Sequence, residues 1–126
     1  MARTKLPRPT DGELEILNVL WELGPCTVRK AHRAVLRRKP AAYNTVLTFL
    51  KIMTDKGLVE RDNSDWPTHY RAAVSKRRTQ RKLLEDLADR AFGGSMEKMV
   101  AAMAGRKVSD VELAAIRRLV DSLKEK

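Results

Sequence analysis

The hydrophobic period of this chain changes at Gly57, and that change limits the folds open to it. Before Gly57, apolar residues recur at helical spacing in three short runs; immediately after it that spacing is lost. Thr10-Asp11-Gly12-Glu13 is a capping box, in which the threonine hydroxyl serves an orphan amide and Glu13 reaches back. It opens a helix over 11–23 that carries Leu14, Leu17, Leu20, Trp21 and Leu23 and stops at Gly24-Pro25. Thr27 caps a second helix, with Val28, Ala31, Val35 and Leu36 on its inner side, which ends before Pro40. A third helix brings Val46, Phe49, Leu50 and Met53 inward and ends at Gly57, the residue type suited to a left-handed position just past a helix. Leu58-Val59-Glu60-Arg61 and Thr68-His69-Tyr70-Arg71-Ala72, joined by the turn-rich Asp62–Pro67, then read as two short strands. A lone hairpin is marginal in water, so it must lean on the helices, with Val59 and Tyr70 in the core.

Beyond residue 75 the helical period returns. Ser75 caps a fourth helix whose inner face is Leu83, Leu84, Leu87, Ala88 and Ala91, interrupted at Gly93-Gly94. Met96, Met99, Val100 and Met103 mark a short fifth helix, and Ser109-Asp110-Val111-Glu112 is a second capping box, opening a sixth with Leu113, Ile116, Leu119, Val120 and Leu123 on one stripe. These amphipathic helices, spanning about fifty residues with no hairpin to close a core, are expected to bury their stripes against a second copy. At the other end, Pro7 and Pro9 among Arg3, Lys5 and Arg8 read as a basic, mobile arm. The expected organisation is an arm over 1–9, a three-helix-plus-hairpin domain over 10–75 and a helical dimerisation region over 76–126, mainly α with one small β-hairpin.

Charge narrows the partners. Lys plus Arg number 26 against 16 Asp plus Glu, a formal +10, so polyanions are the first suspects. No run approaches the ~20 apolar residues of a bilayer span, and Met1-Ala2-Arg3-Thr4-Lys5 does not lead into a signal peptide, so no membrane insertion and a cytoplasmic location are expected. The single Cys26 excludes an internal disulfide, and with only His32 and His69 beside it no metal site or other cofactor is expected. Cys26 reads as a small buried hydrophobe and His32 as a satisfied boundary residue. The phosphate-loop, dinucleotide, zinc-hydrolase and serine-hydrolase motifs are all missing, so an enzyme has no support in the sequence.

Three short helices followed by a hairpin is the order of a winged helix-turn-helix, in which the third helix enters the DNA major groove. At about 100° per residue from Asn44, Thr48 falls near 40°, Lys51 near 340° and Asp55 near 20°, while Phe49, Met53, Val46 and Leu50 cover about 140° to 240°. Asn44 can bond adenine bidentately and the Thr48 methyl can meet a thymine methyl; Thr45 lies on the flank, and Tyr43 at the start of the helix can reach a phosphate or a base. A solvated polar face would look the same on this helix alone. The second helix adds context: it carries Arg29, Lys30, Arg33 and Arg37, and no acid lies between Glu22 and Asp55. On the hairpin, Arg61, His69 and Arg71 are candidates for phosphate, and Trp66 reads as a partly buried loop anchor rather than a stacking or wedging residue. Lys76, Arg77, Arg78, Arg81 and Lys82 oppose their own helix dipole, which fits a linker helix near DNA or a solvated face. A non-specific architectural or RNA-associated protein would suit the same charge.

The runs Leu14-Glu15-Ile16-Leu17-Asn18-Val19-Leu20-Trp21, Ala42-Tyr43-Asn44-Thr45-Val46-Leu47-Thr48-Phe49-Leu50 and Lys56-Gly57-Leu58-Val59, with Tyr70 and Phe92-Gly93-Gly94, resemble the penicillinase repressor family of the BlaI, MecI and CopY type. The resemblance implies a winged-helix transcriptional repressor, akin to regulators of antibiotic resistance, that binds double-stranded, inverted-repeat operator DNA as a homodimer. It assigns operator reading to Tyr43, Asn44, Thr45 and Thr48, with a threonine usual where Asn44 stands, and dimerisation to the helices after residue 75. Family members induced by proteolysis carry an Asn-Phe bond after the Gly-Gly pair and have a membrane sensor metalloprotease as partner. Alignment on Gly93-Gly94 puts that bond at Ala102-Met103, and the Cys-x-Cys ending of copper-responsive members is replaced by Leu123-Lys124-Glu125-Lys126.

Overall fold

The structure, a computed structural model, describes residues 8–123. Six helices and one hairpin follow in the order α1 (Asp11–Leu23), α2 (Val28–Leu36), α3 (Tyr43–Lys56), β1 (Val59–Asp62), β2 (His69–Ala72), α4 (Lys76–Ala91), α5 (Met96–Ala102) and α6 (Asp110–Leu123). The chain divides into two compact units, Met1–Asp86 and Leu87–Lys126. The division falls inside α4 rather than at residue 75, because the start of α4 belongs to the first unit, where Thr79 is buried. The expected arm over 1–9 lies mostly outside the described residues, but Pro9 is buried, so packing begins one residue ahead of Thr10.

Both halves of the first capping box form. The Thr10 hydroxyl accepts from the Glu13 amide at 3.3 Å, and the Glu13 carboxylate accepts from the Thr10 amide at 2.9 Å. Glu13 is also buried and meets Lys56, at the end of α3, at 2.8 Å. Burial acts to raise its pKa, but the Lys56 ammonium and the Thr10 amide outweigh it, and the carboxyl lies below its ordinary value. One residue thus closes the start of α1 and fastens it to the far end of α3.

The first unit has a continuous core made of Ile16, Leu17, Val19 and Leu20 from α1, Val28, Ala31 and Val35 from α2, and Val46, Leu50 and Met53 from α3, closed by Leu58, Val59 and Tyr70. Gly57 takes φ 85°, which lets the chain leave α3 and enter β1 within two residues. β1 and β2 pair antiparallel in the register Val59↔Ala72, Glu60↔Arg71, Arg61↔Tyr70 and Asp62↔His69. Cys26 adds a one-residue third strand: its amide donates to the Tyr70 carbonyl at 2.9 Å and Tyr70 returns the bond at 2.8 Å. The wing is therefore laced to the α1–α2 connection as well as packed on the helices. Burial of Cys26 in that junction pushes its thiol pKa up, which leaves it a poor nucleophile. The Trp21 indole N–H donates to the Val74 carbonyl at 2.9 Å and anchors the chain as it leaves β2.

Two apolar side chains depart from expectation. Leu36 is 47% exposed rather than inward-facing, because the last turn of α2 borders an open cleft of about 700 Å³ lined also by Ile16, Val35, Val46 and Phe49. Trp66 is 90% exposed and anchors nothing. Phe49 is half-buried, its ring lying over Gly12 so closely that a Cβ there would come within 2.7 Å of Cζ. In the second unit α5 is capped by Ser95 and α6 by Ser109, whose hydroxyls accept from Lys98 and Glu112 amides at 3.1 Å each. Its apolar stripes carry Met96, Val100, Met103, Ile116, Leu119, Val120 and Leu123 in the open, with Met99 half-buried. On α4, Leu84 and Leu87 are exposed and Leu83 is half-buried. No helix among the described residues is long and apolar enough to cross a membrane.

Candidate nucleic-acid interface

The orientation of α3 follows from its buried side. Val46, Leu50 and Met53 are 1%, 0% and 0% exposed, so helix geometry turns Asn44, Thr48 and Lys51 to solvent, with Thr45 on the shoulder. Asn44, Thr45 and Thr48 line one shallow depression with Phe49 and Ile52, which places short polar groups beside apolar surface. Ala42, just ahead of the helix, supplies no side-chain cap, and the first amides of α3 point along the same end.

Tyr43 is held by its neighbours. Its ring meets His32 edge to face, centroids 5.8 Å apart. His32 Nε2 lies 2.7 Å from the Ala41 carbonyl, and since a carbonyl only accepts, this nitrogen carries the proton. The contact braces the α2–α3 turn and seats Tyr43 at the head of α3.

The candidate phosphate residues separate into two sets. Arg29, Lys30 and Arg33 on α2 and Arg61 on β1 are exposed and have no carboxylate partner among the described residues. The Thr27 hydroxyl caps α2 by accepting from the Lys30 amide at 3.2 Å, which fixes where these cations begin. Arg71 and His69 are engaged. The Arg71 guanidinium grips Glu60 across the strand pair, Nε lying 2.9 Å from Oε1. His69 Nδ1 donates to the Pro67 carbonyl at 2.8 Å, so in the neutral ring Nε2 is an acceptor and only the imidazolium could donate to a phosphate. Of the basic residues at the start of α4, Lys82 pairs with Asp86 at 3.3 Å.

The sequence left unmarked a cleft of about 490 Å³ between the wing and the two helices, walled by Thr27, Val28, Arg29, Tyr43 and Leu47 on one side and Trp66, Pro67, Thr68 and Tyr70 on the other. Its two walls come from segments distant in sequence, Thr27–Leu47 and Trp66–Tyr70, which no local pattern brings together. Ala102 and Met103, where the family's cut would fall, are exposed at the end of α5.

The geometry has known counterparts. Among solved structures, Bacillus licheniformis BlaI in monomeric form, in complex with the blaP half-operator, is similar with a TM-score of 0.51 at 19% identity, covering 57% of this chain and 88% of that one. A MarR family protein from Bacillus stearothermophilus aligns over 93% of this chain and 74% of its own with a TM-score of 0.53, also at 19% identity. At these identities the likeness shows the winged-helix fold. In sequence, the transcriptional regulator BlaI of Mycobacterium tuberculosis is 31% identical over 121 residues, which cover 94% of this chain and 87% of that protein. The profile of the penicillinase repressor family matches residues 9–122. With the match running from the first helix through α6, the chain belongs to the penicillinase repressor family.

Proposed function

We infer that this protein is a DNA-binding transcriptional repressor that reads an inverted-repeat operator as a homodimer. The observation that carries the reading is the solvent face of α3, where Asn44, Thr45, Thr48 and Lys51 stand opposite a fully buried face and next to an acid-free basic helix. In this account α3 lies in the major groove, with Tyr43, Asn44, Thr45, Thr48 and Lys51 against base edges. Arg29, Lys30, Arg33 and Arg61 neutralise phosphates, and each releases about one counterion. Arg71 joins them only by giving up Glu60, and His69 only when protonated. The likeness to a BlaI chain seen with its half-operator supports one reading head per half-site.

Dimerisation is assigned to Leu83, Leu84, Leu87, Met96, Met99, Val100, Met103, Ile116, Leu119, Val120 and Leu123. Most of these lie exposed in the single chain, an arrangement that costs solvation until a second copy covers them. Coupling two heads converts the second half-site contact into an intramolecular event, which is the source of operator affinity. Release then requires that the heads be separated. A protease that recognises Asn-Phe through its side-chain pockets loses that recognition at Ala102-Met103, so induction here uses a sensor protease of altered specificity or a signal that cuts nothing.

The test is selection of duplexes from a random pool with the full chain, followed by affinity measurements on a selected duplex and on random DNA at one salt concentration. A sequence-reading repressor gives a ratio of about a thousand or more. A ratio near one would leave only a non-specific basic protein.

A further inference from the structure

Trp66 is the most exposed of the large apolar side chains among the described residues, at 90%. Its loop is nevertheless well tied. Asp62 Oδ1 accepts from the Ser64 amide at 2.9 Å and from its hydroxyl at 2.7 Å, and the Thr68 hydroxyl donates to Asn63 Oδ1 at 2.9 Å. These bonds brace the turn from both sides and leave the indole outside it. An ordered loop that holds an indole in water sacrifices burial that a small polar residue would not need.

The position of the ring says what it faces. With Pro67 and Thr68 it forms one wall of the 490 Å³ cleft whose opposite wall includes Arg29 at the start of α2 and Tyr43 at the start of α3. The ring therefore borders the same surface as the end of α3 assigned to base reading. Charge at the tip points away from a phosphate grip, since residues 62–68 contain Asp62 and Asp65 and no Lys or Arg.

We propose that Trp66 is the contact of the wing's tip with DNA, made through apolar packing of the indole against deoxyribose and base edges in the minor groove flanking the segment read by α3, while the cleft beside Arg29 receives the intervening sugar–phosphate strand. The proposal rests on the DNA-binding reading above. Sugar edges offer an aliphatic surface that accepts an aromatic plane without charge. The guanine amino group obstructs the groove floor, so the contact favours A·T pairs in the flank. A neutral ring displaces no counterions, which gives the contact a signature unlike that of any arginine.

The experiment uses the full chain and a duplex selected by it from a random pool, with affinity followed across a salt series. Trp66→Ala is expected to bind about tenfold more weakly with an unchanged salt slope, and Trp66→Phe to fall between it and the parent. Arg29→Ala is expected to flatten the slope by about one unit. Replacing flanking A·T pairs by G·C should weaken the parent chain and leave Trp66→Ala unaffected. A melting temperature for Trp66→Ala equal to the parent's shows that the fold is intact, as expected for a ring that packs on nothing. An affinity within twofold of the parent, or a flattened slope, overturns the proposal. A parent chain with no preference among duplexes overturns the DNA-reading account itself, and the role of Trp66 with it.

Discussion

Removing Lys56 should destabilise the protein more than removing the charge of Glu13, although the two form a single ion pair. The asymmetry comes from burial: the Glu13 side chain is 3% exposed and that of Lys56 is 41% exposed. In Glu13→Gln the orphaned ammonium turns to water, and the amide oxygen can still accept from Thr10. The loss is then about 1 kcal/mol, that of a charge-assisted bond made ordinary. In Lys56→Met the carboxylate stays buried with only the Thr10 amide and the positive end of α1 to stabilise it. Breaking a buried pair in this way costs roughly 3–5 kcal/mol when nothing else compensates; the cap and the dipole reduce it to about 2 kcal/mol. For a domain of this size that lowers the melting temperature by roughly 10 °C.

The pH dependence supplies a sharper check. In the parent chain the folded pKa of Glu13 is depressed, so the pair contributes stability above the unfolded value, and that contribution is lost as pH falls through the folded one. Without Lys56, only the Thr10 bonds and the start of α1 still act against burial, so the pKa of the carboxyl lies above the parent's. Protonation then relieves the variant, and its deficit relative to the parent shrinks on acidification. Urea unfolding of parent and both variants at pH 7 and at about pH 4, at one protein concentration, measures all of this. A Lys56→Met variant less destabilised than Glu13→Gln, or a deficit that grows at low pH, would refute the reasoning.

Other expectations concern binding and assembly. Arg33→Ala should weaken selected and random duplexes alike and flatten the salt slope by about one unit, whereas Arg71→Ala should change the slope by less, because Glu60 already occupies its guanidinium; equal slopes for the two would contradict this. A fragment ending at Asp86, which keeps the buried Thr79 and the Lys82–Asp86 pair, should fold as a monomer and bind a full operator far more weakly than the whole chain, which sedimentation and titration check. Intact mass measured in cells before and after exposure to a cell-wall antibiotic should show no fragment ending at Ala102.

Local chemistry made much of this fold legible. The capping box at Thr10, the stop at Gly24-Pro25 and the left-handed Gly57 act within a few residues, and α1 and α3 end where those residues put them. The strands begin one residue later than the sequence suggests, at Val59 and His69; for β1 the reason is that Leu58 is taken into the core by the turn out of α3. What stayed hidden is non-local. Nothing near Cys26 announces that it pairs with Tyr70, and nothing near Glu13 announces Lys56, since each partner is more than forty residues away. Trp66 and Leu36 depart from expectation because apolarity argues for burial on average, while a turn that points outward and a helix end that borders a cleft leave no neighbour to bury against. The exposed set on α3 was readable because a single fact, three buried positions on one side, fixes the opposite side.

The central claim is that this exposed face reads base sequence, and Asn44→Ala tests it most directly. Asn44 is exposed and lies outside the core, so its loss leaves the fold alone. Binding of parent and variant to a selected duplex and to random DNA at one salt concentration gives two differences. The account predicts a loss of about 1–3 kcal/mol on the selected duplex and much less on random DNA; equal losses on both would contradict it.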